Sequence, residues 1–132
     1  YLENVYKPGD LVCLVHAAEY KVDIGLPGAA VDTDKLAQIT KAMKEEVDRI
    51  ENLCGNYTEA LRQKGIKSVT HLVQGEKPGA AIIRKAEELG AAIIIMGSRG
   101  LGKLRRTLMG SVSEYVLHHA PPRVAVTILR DS

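Results

Sequence analysis

Two periods organise the apolar residues of this chain. Leu11-Val12-Cys13-Leu14-Val15, Ser68 to Gln74, Ala91-Ala92-Ile93-Ile94-Ile95-Met96 and Val124-Ala125-Val126-Thr127-Ile128-Leu129 are short runs, apolar throughout or alternating with polar neighbours. Between them, apolar residues return every third or fourth position. Leu36, Ile39, Met43, Val47, Ile50, Cys54, Tyr57 and Leu61 form the longest such series, and Ile82, Ile83, Ala86 and Leu89 form another. Alternation suits a strand with one covered face, and an unbroken apolar run suits a strand covered on both. A period near 3.6 turns one stripe of a helix toward a core. The pattern predicts strands alternating with helices, hence βαβ units and a parallel sheet.

Local signals set the boundaries. Lys7-Pro8-Gly9-Asp10 reads as a turn into the first strand, and Glu19 to Ala30, with Gly25, Pro27 and Gly28, reads as a loop. Asp32-Thr33-Asp34 supplies capping oxygens and negative charge to the start of a long helix. That helix is expected to end at Lys64-Gly65 and to bend at Gly55-Asn56. Gly75-Glu76-Lys77-Pro78 opens the next helix with proline in its first turn, and Gly90 closes it. Val112, Tyr115 and Val116 mark a last helix that stops before Pro121-Pro122. Tyr1 to Tyr6 resembles the tail of a helix.

The chemistry of interest lies between the third strand and the last helix. Gly97 and Gly100 are followed after nine residues by Gly110-Ser111-Val112-Ser113. Glycine lets backbone N–H groups approach an anion, and a helix N-terminus adds unpaired donors and a positive dipole end. No acidic residue occurs between Glu88 and Glu114, whereas Arg99, Lys103, Arg105 and Arg106 all do. Strand, basic glycine loop and helix start together predict a phosphate site. The loop lacks the Gly-Lys-Ser/Thr ending of a Walker P-loop.

This spacing, Gly-x2-Gly-x9-Gly-Ser, resembles the nucleotide-binding signature of the universal stress protein family, and the resemblance runs from about Pro8 to Arg130. It implies an α/β, Rossmann-like, doubly wound parallel sheet of strand order 3-2-1-4-5. It also implies that the first, central strand, whose terminal aspartate reads adenine, is missing from this sequence, which is expected to be N-terminally incomplete. The ATP-binding branch of the family implies a site made of Ala17, Met96, Gly97, Arg99, Gly100, Gly110, Ser111, Val112 and Ser113. Gly97, Arg99 and Gly100 would line the turn near ribose and phosphates, Gly110 to Ser113 would wrap the phosphates, and Met96 and Ala17 would lie near ribose or base. The implied ligand is ATP, with or without Mg2+. The strand from Arg123 to Arg130 is expected at a sheet edge, where the family's resemblance implies a homodimer.

Composition narrows the rest. The 132 residues fit a single domain, 1–132. The chain is 45% hydrophobic without Phe or Trp, so its core must be aliphatic. A net charge of +2 gives no footprint for nucleic acid, and no apolar run approaches the roughly 18 residues of a membrane span. Cys13 and Cys54, distant and without ligand spacing, read as reduced thiols of a cytoplasmic protein. No catalytic or metal set is expected. Adjacent His118 and His119 diverge by about 100° on a helix, His16 reads as structural, and His71 is expected on the solvent face of its strand. Glu45-Glu46 and Glu87-Glu88 read as solvated charges. The sequence therefore predicts a nucleotide-dependent stress-response regulator with at most slow ATP hydrolysis. The alternative is a dimerising, chaperone-like interaction protein that binds no nucleotide. A nucleotidyl-transfer enzyme would need catalytic residues and insertions for which the chain has no room.

Overall fold

The computed structural model describes residues 3, 5–18, 32–74, 77–97 and 110–129. Seven elements alternate along them: β1 (Val12–Ala18), α1 (Thr33–Gln63), β2 (Ser68–Gln74), α2 (Pro78–Glu88), β3 (Ile93–Gly97), α3 (Ser111–His119) and β4 (Ala125–Leu129). The class is α/β, as expected. Four strands are described, in two pairs, β1 with β2 and β3 with β4. Both pairings agree with the order implied by the resemblance. Packing concentrates in two units, one around β1 and α1, the other around α2, β3, α3 and β4.

In the first unit, α1 shows how sequence signals set a helix. Asp32 is its N-cap, and Oδ1 accepts from the amides of Asp34 at 3.0 Å and Lys35 at 3.4 Å. At the far end Gly65 takes φ +71°, a conformation that costs glycine nothing. Its amide donates to the Arg62 carbonyl, and that of Ile66 reaches back to Leu61. These two bonds and the buried Leu61 and Ile66 make a Schellman stop. The helix runs through unbroken, because Gly55 is exposed, faces open space and costs only about 1 kcal/mol in place. Thr58 and Thr70 share a hydroxyl contact of 3.5 Å between α1 and β2.

Several expectations need correction. His71 does not face solvent: it shares a β2 face with buried Val73, and its Nε2 is enclosed without a partner. Leu72, on the opposite face, is exposed, as is Val69 toward the start of the strand. Among the described residues at the chain's start, Glu3 and Val5 sit in turns rather than a helix. The Lys7–Asp10 turn is present, closed by the Asp10 amide on the Lys7 carbonyl and by the Lys7 amide on Asp10 Oδ2. As expected, the Glu46 and Glu88 side chains remain solvated, and each also has a cationic partner. Glu46 accepts two bonds from Arg49, and Glu88 pairs with Arg84 and Lys85.

The second unit is built on a parallel β3–β4 ladder, with Ile93 opposite Ala125 and Gly97 opposite Leu129. Ala86, Ile94, Val116 and Val124 form its core, with Ile82, Ile83, Met96 and Val126 packed around them. Val116 is completely buried, and burial of one such side chain is worth about 1.5–3 kcal/mol. β3 was expected to be covered on both faces. Ile94 is buried, but Ile93 remains 42% exposed. The helices meet through Gly79, buried in the first turn of α2, where an added Cβ would lie 2.6 Å from the Tyr115 ring. On α3, the His119 ring stacks on Tyr115 at 4.0 Å and its Nδ1 lies 2.8 Å from the Tyr115 carbonyl oxygen. A second Schellman stop, at Gly90 with φ +61°, ends α2. No described helix is long and apolar enough to cross a membrane.

Candidate functional site

β3 and β4 are parallel neighbours joined through α3. A helix joining such strands must run back against them, so its N-terminus returns to their carboxyl ends. The segment that leaves β3 after Met96 and Gly97 thus re-enters regular structure at Gly110 on that same end of the ladder. Ligands of open α/β sheets bind on this side.

The start of α3 is built from backbone. Gly110 is the N-cap, extended at φ −60° and ψ 153°, and among the described residues no side chain caps the helix. The first bond of the helix runs from the Glu114 amide to the Gly110 carbonyl at 2.9 Å. The amides of Ser111, Val112 and Ser113 therefore have no acceptor within the helix. Aligned peptide dipoles add a positive end at the same place. Such a group of donors suits a phosphate or another tetrahedral anion.

The predicted side chains divide into three sets. Gly110, Ser111, Val112 and Ser113 make up the N-cap and first turn of α3. Ser111 is exposed and Val112 half-buried, but Ser113 is only 2% exposed and its hydroxyl donates to the Gly110 carbonyl at 2.9 Å. Met96 and Gly97 end β3; Gly97 is exposed, while the Met96 side chain packs on the core around Ile94 and Val116. Ala17 lies near the end of β1 and is half-buried. Arg99 and Gly100 lie outside the described residues. Gly79 escaped the sequence reading, although a glycine directly after a helix-opening proline was its available signal. By admitting Tyr115 against α2, it fixes the height at which α3 sits beside that helix.

Comparison with known proteins agrees with this architecture. The model of the universal stress protein family matches residues 6–127. The universal stress protein YxiE of Bacillus subtilis is 32% identical across 67% of this chain and 64% of its own length. The universal stress protein PHOS34 of Arabidopsis thaliana is 27% identical across 95% of this chain and 53% of its own length. The chain spans about half the length of several such relatives; a putative universal stress protein of Staphylococcus epidermidis is 38% identical over 58% of this chain and 46% of its own length. Among solved structures, the hypothetical protein MJ0577, the subject of a structure-based assignment of biochemical function, superposes with a TM-score of 0.73. That match has 27% identity and covers 93% of this chain and 78% of MJ0577. A universal stress family protein from Burkholderia pseudomallei shares the fold at a TM-score of 0.55 and 21% identity, covering 89% of this chain and 71% of its own.

Proposed function

From the premise that the chain belongs to the universal stress protein family, we propose that it is a stress-response regulator that binds ATP, with Mg2+, at the start of α3. The observation that carries this reading is the uncapped helix end at Gly110, where three amides have no acceptor in the helix. Exposed Ser111 adds a hydroxyl to those amides. Gly97 ends β3 without a side chain that could block approach to the ladder's carboxyl end, and the basic residues Arg99, Lys103, Arg105 and Arg106 supply compensating charge in sequence. Met96 is half-buried against the core, so it offers a firm apolar edge to a sugar or base. None of these groups is a general base or a carboxylate pair that would activate water, so ATP hydrolysis is at most slow.

A second reading rests on β4. Its described partner is β3 on one side, and Leu129 at its end is half-exposed. An edge of this kind, with no second partner among the described residues, suits pairing with a second copy of the chain, giving a cytoplasmic, dimerising regulator that works through contacts rather than nucleotide. Isothermal titration of the full-length protein with Mg-ATP separates the two. Saturable heat at micromolar to millimolar ligand supports the nucleotide reading. Absence of heat at millimolar ATP, with a dimer in sedimentation, overturns it in favour of the second.

A further inference from the structure

We infer that Ser113 is a positioning residue, whose hydroxyl holds the N-cap of α3 in register instead of touching the ligand. The inference rests on the nucleotide reading of the site. Ser113 is the only polar residue among those described as buried, at 2% exposure, so solvent and ligand do not reach it without rearrangement. Its Oγ donates to the Gly110 carbonyl at 2.9 Å, and the same carbonyl accepts the Glu114 amide at 2.9 Å. One carbonyl thus takes two donors and is held from two directions.

The choice of acceptor matters. A side chain that caps a helix in the usual way accepts from the second or third amide and uses up donors. The Ser113 hydroxyl bonds a carbonyl, so it fixes Gly110 and leaves the amides of Ser111, Val112 and its own backbone without an acceptor among the described residues. Glycine at the N-cap has no side chain to restrain it, and a half-buried glycine hinge left unbonded would let those amides wander. A bond from the third helical residue back to the cap restrains the hinge from beneath. The amides are then preorganised before any anion arrives, and less ordering cost falls on binding. Exposed Ser111 is the hydroxyl left for direct contact.

The test compares wild type, Ser113→Ala and Ser113→Thr by titration with Mg-ATP and with Mg-ADP, alongside amide hydrogen exchange without ligand. Positioning predicts that Ser113→Ala stays folded and binds both nucleotides about three- to tenfold more weakly, by a similar factor for each. The amides of Ser111 and Val112 should exchange faster in the free variant, and Ser113→Thr, which keeps the hydroxyl, should restore both readouts. Should the threonine variant lose thermal stability, Ser113→Cys supplies the isosteric comparison, with an intermediate loss expected from its weak donor. A loss confined to ATP would make Ser113 a direct ligand of the last phosphate and overturn the inference. So would unchanged affinity and exchange in Ser113→Ala. If wild type binds neither nucleotide, the functional reading fails by itself. The exchange comparison still tests whether Ser113 restrains Gly110.

Discussion

The starts of α1 and α3 solve the same problem in opposite ways. At α1, Asp32 brings an oxygen onto the amides of Asp34 and Lys35, and its negative charge meets the positive end of the helix. Donors and dipole are both satisfied from within the chain. At α3 the cap is glycine, no described side chain accepts from the first amides, and the Ser113 hydroxyl is spent on a carbonyl. Nothing in the backbone forces that choice, since φ −60° at Gly110 is open to any L residue. On the proposed function, a helix start of this kind leaves the negative charge to the ligand. The contrast teaches that the missing cap, rather than the glycine's flexibility, is the informative feature.

The contrast can be broken most strongly by giving α3 the cap that α1 has. Gly110→Asp should place a carboxylate on the amides of Val112 and Ser113, and Mg-ATP affinity should fall at least thirtyfold, about 2 kcal/mol. The thermal midpoint should not drop, because the backbone is already extended there. Retained affinity would show that the amides are not the ligand's anchor. Next in size is Gly79→Ala. Its new Cβ meets the Tyr115 ring at 2.6 Å, so α2 and α3 must part at a cost of about 1–3 kcal/mol, read in urea unfolding. The reverse operation on α1, Asp32→Ala, should cost about 1 kcal/mol in the same assay and leave nucleotide titrations unchanged. Gly55→Ala should stabilise the protein by about 0.5–1 kcal/mol, since the residue is helical, exposed and unobstructed. The smallest effect is one of acid. Bonds from Arg49 to Glu46, from Arg62 to Glu59, and from Lys85 and Arg84 to Glu88 hold those carboxyls below the usual range. Their contribution is present above the ordinary carboxylate pKa, roughly 4.3, and is lost as pH falls through the lower folded values. A shallow decline of the thermal midpoint under acid, flattened by salt, is expected in circular dichroism.

Much of this was legible in the residues. Asp32, Gly65, Pro78 and Gly90 marked helix ends through chemistry that acts within a few positions, and the structure uses each one so. The grouping of Gly110 to Ser113 was readable for the same reason. Features that depend on distant partners were not. Gly55 is a poor helix residue by local propensity alone, and a 31-residue helix nonetheless includes it. His71 was placed outward by its polarity, yet the alternation is set by Val73 on the same face of the strand. The bond from the Ser113 hydroxyl to the Gly110 carbonyl was not readable, because spacing shows that a hydroxyl is near a site, not which acceptor it has chosen. Gly79 required knowledge of where Tyr115 would come to rest.

The parallel partner of β3 follows in sequence only after α3. While the chain is being synthesised, Ile93, Ile94 and Ile95 leave the ribosome before the residues that will hydrogen-bond to them. A transcript broken off upstream of Ala125 would release an isoleucine-rich strand that has lost this hydrogen-bonding partner, a template for self-association. Nascent molecules of this protein should therefore depend on chaperones most heavily in the interval between the emergence of those two segments, and premature stop codons there should yield inclusion bodies rather than soluble fragments.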